Sequence, residues 1–167
     1  SVASLLAKAG YNITVYEKSD AISEIGAGVQ ISPNGFCVLK EMGVSERALK
    51  KSICNNSIAI CDYQKGKRLL QFEQRSALGN KNFRLMHRAD LIDILLEAAE
   101  SNKVSIKLGC SADASLLSDQ YSIVIAADGV HSKTRNFLNP NQRKNSDVDY
   151  FAWRAIVPNN INHHEGV

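Results

Sequence analysis

The chain has 167 residues, 44% of them apolar and 22% charged, with a formal net charge of +3; this is the balance of one globular domain, or of one domain and part of another. So small a charge, with Lys and Arg scattered rather than striped, argues against nucleic acid as a partner, and no run approaches the ~20 apolar residues of a membrane-spanning helix. The four cysteines, Cys37, Cys54, Cys61 and Cys110, form no CxxC pair and lack a histidine at ligand spacing, so neither a disulfide framework nor a metal site is expected, and a reducing cytoplasm fits best.

At the amino end, Val2, Leu5, Leu6 and Ala9 recur at helical spacing and Gly10 follows as a stop. Ile13 to Glu17 alternates and is β-branched, which predicts a strand with Glu17 at its carboxyl end. Helix and strand together read as the second half of a βαβ unit. Ser23 to Ile31 is expected to be an extended loop built on Gly26-Ala27-Gly28. Ser32-Pro33-Asn34 then predicts a helix start, with serine as cap and proline at the first position, where its missing N–H costs nothing. That helix carries Phe36, Val38, Leu39 and Met42 and closes at Gly43.

Residues 57–74 read as a hairpin turning near Lys65-Gly66, with Lys65-Gly66-Lys67-Arg68 as a solvated turn. Arg88 to Ser101 is the clearest helix, because Leu91, Ile92, Leu95, Leu96 and Ala99 form one apolar stripe. Val104 to Leu108 is a short strand. Tyr121 to Ala127 is apolar enough to predict a strand buried on both faces of a parallel sheet. It stops abruptly at Asp128-Gly129, ahead of a short helix from Ser132 to Leu138. Val148 to Val157, with Tyr150, Phe151 and Trp153, begins what reads as a different sheet. Cys37 and Cys61 fall within apolar patterns and are expected to be buried thiols. His163-His164 has no third ligand in view and reads as loop.

Four polar points converge on a dinucleotide-type ligand. Glu17 ends a βαβ strand, where an acidic side chain can accept both hydroxyls of an adenosine ribose. Gly26-Ala27-Gly28 imitates a phosphate loop, but position 31 is Ile and no βα turn surrounds it, so the glycines are better suited to a close approach by a flat ligand. Arg88 opens a helix, and both its guanidinium and the helix terminus favour phosphate oxygens; pairing with Asp90 or Asp93 is the competing reading. Asp128-Gly129 stands at the carboxyl end of a strand, where open α/β sheets bind ligands, although Asp-Gly is also a common turn pair.

Three segments carry a resemblance: Val15-Tyr16-Glu17-Lys18, the run from Gly26 to Gly35, and Ala126-Ala127-Asp128-Gly129-Val130-His131-Ser132-Lys133-Thr134-Arg135. Arg88-Ala89-Asp90-Leu91 and Trp153-Arg154 fit the same pattern in the same order. The chain resembles the class A FAD-dependent monooxygenases of the salicylate or 6-hydroxynicotinate hydroxylase type, over nearly its whole length. The fold this implies is α/β, a partial Rossmann-like FAD-binding domain of the glutathione-reductase type with a parallel sheet. Residues 1–147 would form that domain with the hairpin near 57–74 inserted from the substrate domain, and residues 148–167 would begin the substrate-domain β-sheet.

By that resemblance Glu17, with Lys18 beside it, holds the adenosine ribose of FAD. Gly28 and Val29 pass beside the flavin, and Arg88 reaches the ribityl-pyrophosphate region. Asp128 and Gly129 match a motif that contacts the pyrophosphates of FAD and of the nicotinamide cofactor. Some relatives place a catalytic histidine between the positions of Gly28 and Ile31; Val29 and Gln30 stand there here, and no catalytic residue is assigned. The resemblance also expects a G-x-G-x-x-G turn with its strand ahead of Ser1 and a Gly-Asp segment after Val167, so the sequence reads as cut at both ends and the isolated chain is expected to bind FAD weakly or not at all.

The activity implied is hydroxylation of a small aromatic substrate with oxygen, using FAD and NADH or NADPH. An epoxidase or reductase of isoprenoid or quinone precursors, and a non-catalytic remnant, are the alternatives. A plain NAD-dependent dehydrogenase fits poorly, since strand and helix should alternate after Glu17 and a glycine loop follows instead. Substrate identity, the choice of nicotinamide cofactor and oligomeric state stay open.

Overall fold

The computed structural model describes residues 1–22, 28–55, 57–73 and 83–140. Gly26-Ala27, the aromatic strand expected at 148–157 and His163-His164 lie outside them. The chain divides into two units, one formed by Ser1–Ile13, Ser23–Ser105 and Arg154–Val167, the other by Thr14–Ile22 and Ile106–Trp153.

In the first unit, α1 (Val2–Lys8) is the expected amino-terminal helix, but Ser4 is its buried residue and Val2 is exposed. In the second, β1 (Thr14–Tyr16) is the expected strand ending at Glu17. The first unit then holds β2 (Gly28–Ile31), α2 (Pro33–Glu41), α3 (Ser45–Lys50), β3 (Ser52–Asn55), β4 (Ser57–Cys61), β5 (Arg68–Glu73), β6 (Phe83–His87) and α4 (Arg88–Ser101). β7 (Ser105–Lys107), α5 (Ala114–Leu117) and α6 (Lys133–Leu138) complete the described elements.

Gly28–Ile31 is a strand rather than the expected loop, because β6 pairs with it antiparallel, Gly28 opposite His87 and Val29 opposite Met86. β3 flanks β6 on its other side, giving the sheet order β2-β6-β3. One face of this sheet supplies the core: Ile31 and Met86 pack with Leu39, Ala48 and Ile94, and Val29, Phe36, Val44, Leu91 and Leu95 close around them. Burial of each large side chain there contributes about 1.5–3 kcal/mol. α4 has its expected bounds, but it buries Ile94, Ala98 and Ala99, so its stripe is rotated from the expected one towards Ile94. Arg84 ties β6 to its neighbours, its Nε donating to Ser52 Oγ at 2.6 Å and its Nη2 to the Ser52 carbonyl at 2.9 Å.

Pro33 is at the start of α2 as expected, yet Ser32 does not cap it. Its hydroxyl donates to the Asn34 side chain and accepts no first-turn backbone N–H. The hairpin is present, β4 pairing with β5 from Ser57 opposite Glu73 to Cys61 opposite Arg68. Cys37 and Cys61 are exposed, not buried. Apolar neighbours in sequence set which face a residue shares, and at both positions that face is open to solvent.

The parallel pair is β1 with β7: Ser105 N–H donates to the Ile13 carbonyl at one end and Glu17 N–H to the Lys107 carbonyl at the other, so both strands run the same way. The strand expected over Tyr121–Ala127 is not formed. Residues 123–129 have no regular structure, and Ile123 and Ile125 are 72% and 57% exposed. A buried parallel strand needs ladder partners and covering helices, and the described residues offer this segment neither. The chain is an α/β protein, with one parallel and three antiparallel strand pairings among the described residues.

Candidate functional site

The expected site residues fall on four stretches of chain, two of which, Gly28-Val29 and Arg88, adjoin at the β2–β6 pairing. Glu17 and Lys18 follow β1, in a turn fastened to the end of β7. Cys110 N–H donates to the Glu17 carbonyl and Gly109 N–H to the Ser19 carbonyl, each at 2.9 Å. Within the turn the Glu17 carboxylate accepts the Ser19 N–H at 2.9 Å, and this bond holds it below the usual carboxylate range. Glu17 is therefore ionised and oriented, while Lys18 is exposed. Gly109 permits the fastening: its φ is +63°, and a Cβ there would stand 2.7 Å from Asp20 Oδ1.

Asp128 and Gly129 lead into α6. The Asp128 carboxylate accepts the Thr134 N–H at 3.2 Å, and bonding to the Ser132 hydroxyl is the largest influence that pulls its pKa down to about 2. Ser132 also caps α6, accepting the Arg135 N–H at 2.9 Å. Arg135 closes the loop by donating Nη2–H to the Val130 carbonyl at 2.8 Å. Gly129 has a φ of +79°, a conformation that side-chain-bearing residues rarely adopt. Asp128 is thus engaged with its own loop, a role that the Asp-Gly pair alone does not reveal but that Ser132 and Thr134, four and six residues on, make readable.

Gly28, Val29 and Arg88 come together in the first unit. Gly28 stands opposite His87, and Arg88 follows His87 as the first residue of α4. Val29 turns towards the core with Met86, whereas Gly28 and Gln30 share the other face with Leu85 and His87. A Cβ added at Gly28 would meet no atom within 4 Å, so nothing in the described residues fills the space above it. Of the acids weighed for Arg88, Asp90 pairs with Lys51 at 3.0 Å.

His87 was not singled out by the sequence pattern. Its Nδ1 accepts the Ala89 N–H at 3.3 Å, which caps α4. No hydrogen bond joins Glu17 to Asp128 among the described residues. Nor do those residues hold a cluster of three or more metal-ligating side chains.

No family model matches the chain. Among characterised proteins it is similar to the 3-amino-4-hydroxybenzoate 2-monooxygenase PtmB3 of Streptomyces platensis, 30% identical over 83% of this chain and 38% of that one. It is also similar to the 6-hydroxynicotinate 3-monooxygenase of Bordetella bronchiseptica, 26% identical over 93% of this chain and 44% of the relative. Its relatives are FAD-dependent monooxygenases. The chain spans less than half the length of these two relatives. In fold it matches P. aeruginosa PqsL, with a TM-score of 0.65 and 18% identity over 91% of this chain and 44% of that structure. Among the described residues no helix is long and apolar enough to cross a membrane.

Proposed function

We propose that the chain is the FAD-binding portion of a monooxygenase that hydroxylates a small aromatic substrate with oxygen and NADH or NADPH. The observation that carries this is a likeness to aromatic-ring monooxygenases that extends over 83% and 93% of the chain. Within that reading residues 1–147 form the cofactor domain, the hairpin near 57–74 and residues 148–167 belong to the substrate domain, and the protein is cytoplasmic, in keeping with four free cysteines.

The residues present fit FAD. Glu17 is ionised and fixed in direction by Ser19, the state required to accept ribose hydroxyls. Gly28 presents bare backbone with none of the described residues within 4 Å of where a Cβ would stand, and a flat ring can approach closely there. Arg88 adds a guanidinium at the start of a 14-residue helix, suited to phosphate oxygens. Asp128 keeps the turn at Gly129 in shape through Ser132 and Thr134, so the backbone of that loop, rather than the carboxylate, is what meets a pyrophosphate. FAD, when bound, supplies the redox chemistry by taking electrons from the nicotinamide cofactor and activating oxygen.

The test is direct. The full-length protein, purified without added cofactor, should carry FAD and consume NADH or NADPH faster when benzoate- or pyridine-type aromatics are added. Absence of both flavin and stimulated turnover would overturn the reading.

A further inference from the structure

We propose that His87 is a further binding residue of this site, donating its Nε2–H to an acceptor oxygen on the planar ring that lies over Gly28. The inference rests on the flavoprotein reading above and deepens it. Gly28 and His87 are directly opposed in the β2–β6 register, so both belong to the sheet face turned away from the Met86 core. Side chains directly opposed on adjacent antiparallel strands are near neighbours, with Cβ atoms about 4.5–5.5 Å apart. A Cβ at Gly28 would meet nothing within 4 Å among the described residues, so none of them fills the position directly across from the histidine.

The ring's other nitrogen is already committed. Ala89 N–H donates to His87 Nδ1 at 3.3 Å, so in the neutral imidazole the proton resides on Nε2. That Nε2–H has no acceptor among the described residues. His87 therefore cannot take a proton at Nε2 while it caps α4, and its chemistry here is donation. The acceptor is a ring carbonyl, carboxylate or phenolate oxygen. A flavin and an aromatic substrate both provide one, and the experiment separates them.

Two variants of the full-length holoprotein are compared with wild type: His87→Asn, which keeps a good helix cap, and His87→Ala, which removes cap and donor together. Thermal midpoint, FAD Kd and aromatic-substrate KM are measured for each. The expected result is a near-wild-type midpoint for His87→Asn with one constant weakened about three- to tenfold, the range for one lost hydrogen bond. A rise confined to FAD Kd assigns the acceptor to the flavin, and a rise confined to KM assigns it to the substrate. If His87→Asn restores midpoint, Kd and KM together, the histidine is a cap alone and the proposal is overturned. If wild type carries no flavin, the function reading itself fails and His87 falls with it, an outcome distinct from any result on the variants.

Discussion

The Asp128 carboxylate accepts the backbone N–H of Thr134 at 3.2 Å across six residues of chain, and this bond belongs to a loop that holds itself together. Ser132 contributes most to lowering the Asp128 pKa to about 2. The folded value is below the unfolded one, so the stabilisation is complete above about pH 4 and is lost as pH falls towards 2. A carboxyl-carbon NMR titration should show the Asp128 carboxylate changing at about pH 2. Ser132→Ala should move its midpoint back up; an unmoved midpoint would mean that the hydroxyl is not the cause.

Gly109 should resist substitution for a reason that magnitudes can settle. Gly109→Ala meets two obstacles, a φ of +63° and Asp20 Oδ1 at 2.7 Å from the new Cβ. The carboxylate is the far end of a flexible side chain and can swing away, whereas the left-handed backbone costs about 1–2 kcal/mol whatever the neighbours do. Urea unfolding of Gly109→Ala should therefore show a loss of about that size. Adding Asp20→Ala should recover little of it. Full recovery in the double variant would show that the clash, not the backbone, was the obstacle.

What the sequence made legible was local. α4 was readable to the residue at both ends because one apolar stripe defines it, and the β4–β5 hairpin because a polar Gly-containing turn separates two apolar runs. β3 and β6 were not found, since each is a short strand defined by a partner distant in the chain, Ser52 opposite Met86 being one such pair. The same physics reversed the reading of Tyr121–Ala127. Its apolar run states what the segment would bury, and only the surrounding structure decides whether cover exists. Among the candidate residues, the places of Glu17 just after β1 and of Arg88 at the start of α4 were legible as element ends, whereas Gly28 was expected in a loop and opens β2. His87 was hidden because its partner Gly28 is 59 positions away, as the register of Gly28 with His87 shows.

Tyr16 and Tyr121 share a hydrogen bond between hydroxyls at 2.8 Å, with rings edge to face. That bond is the largest influence raising the Tyr16 pKa and lowering that of Tyr121. The pair should ionise in two steps, one below and one above the ordinary tyrosine range, visible as ultraviolet tyrosinate absorbance. Tyr16→Phe should abolish the upper step and return Tyr121 towards its ordinary value. A single unsplit transition in the wild type, unchanged by the variant, would mean that the hydroxyls are not coupled.

Gly28 separates a binding glycine from a structural one. A methyl added there meets nothing within 4 Å among the described residues, and the backbone is not in the left-handed region. Gly28→Ala should therefore fold with a stability within about 0.5 kcal/mol of wild type, as surface substitutions do. If a flat ring lies against this backbone, the same methyl stands between ring and strand and must weaken it. Flavin fluorescence titration of the full-length variant should show FAD affinity reduced at least about tenfold, a cost of ~1.4 kcal/mol that folding does not share. Unchanged affinity at unchanged stability would place the flavin elsewhere and remove Gly28 from the site.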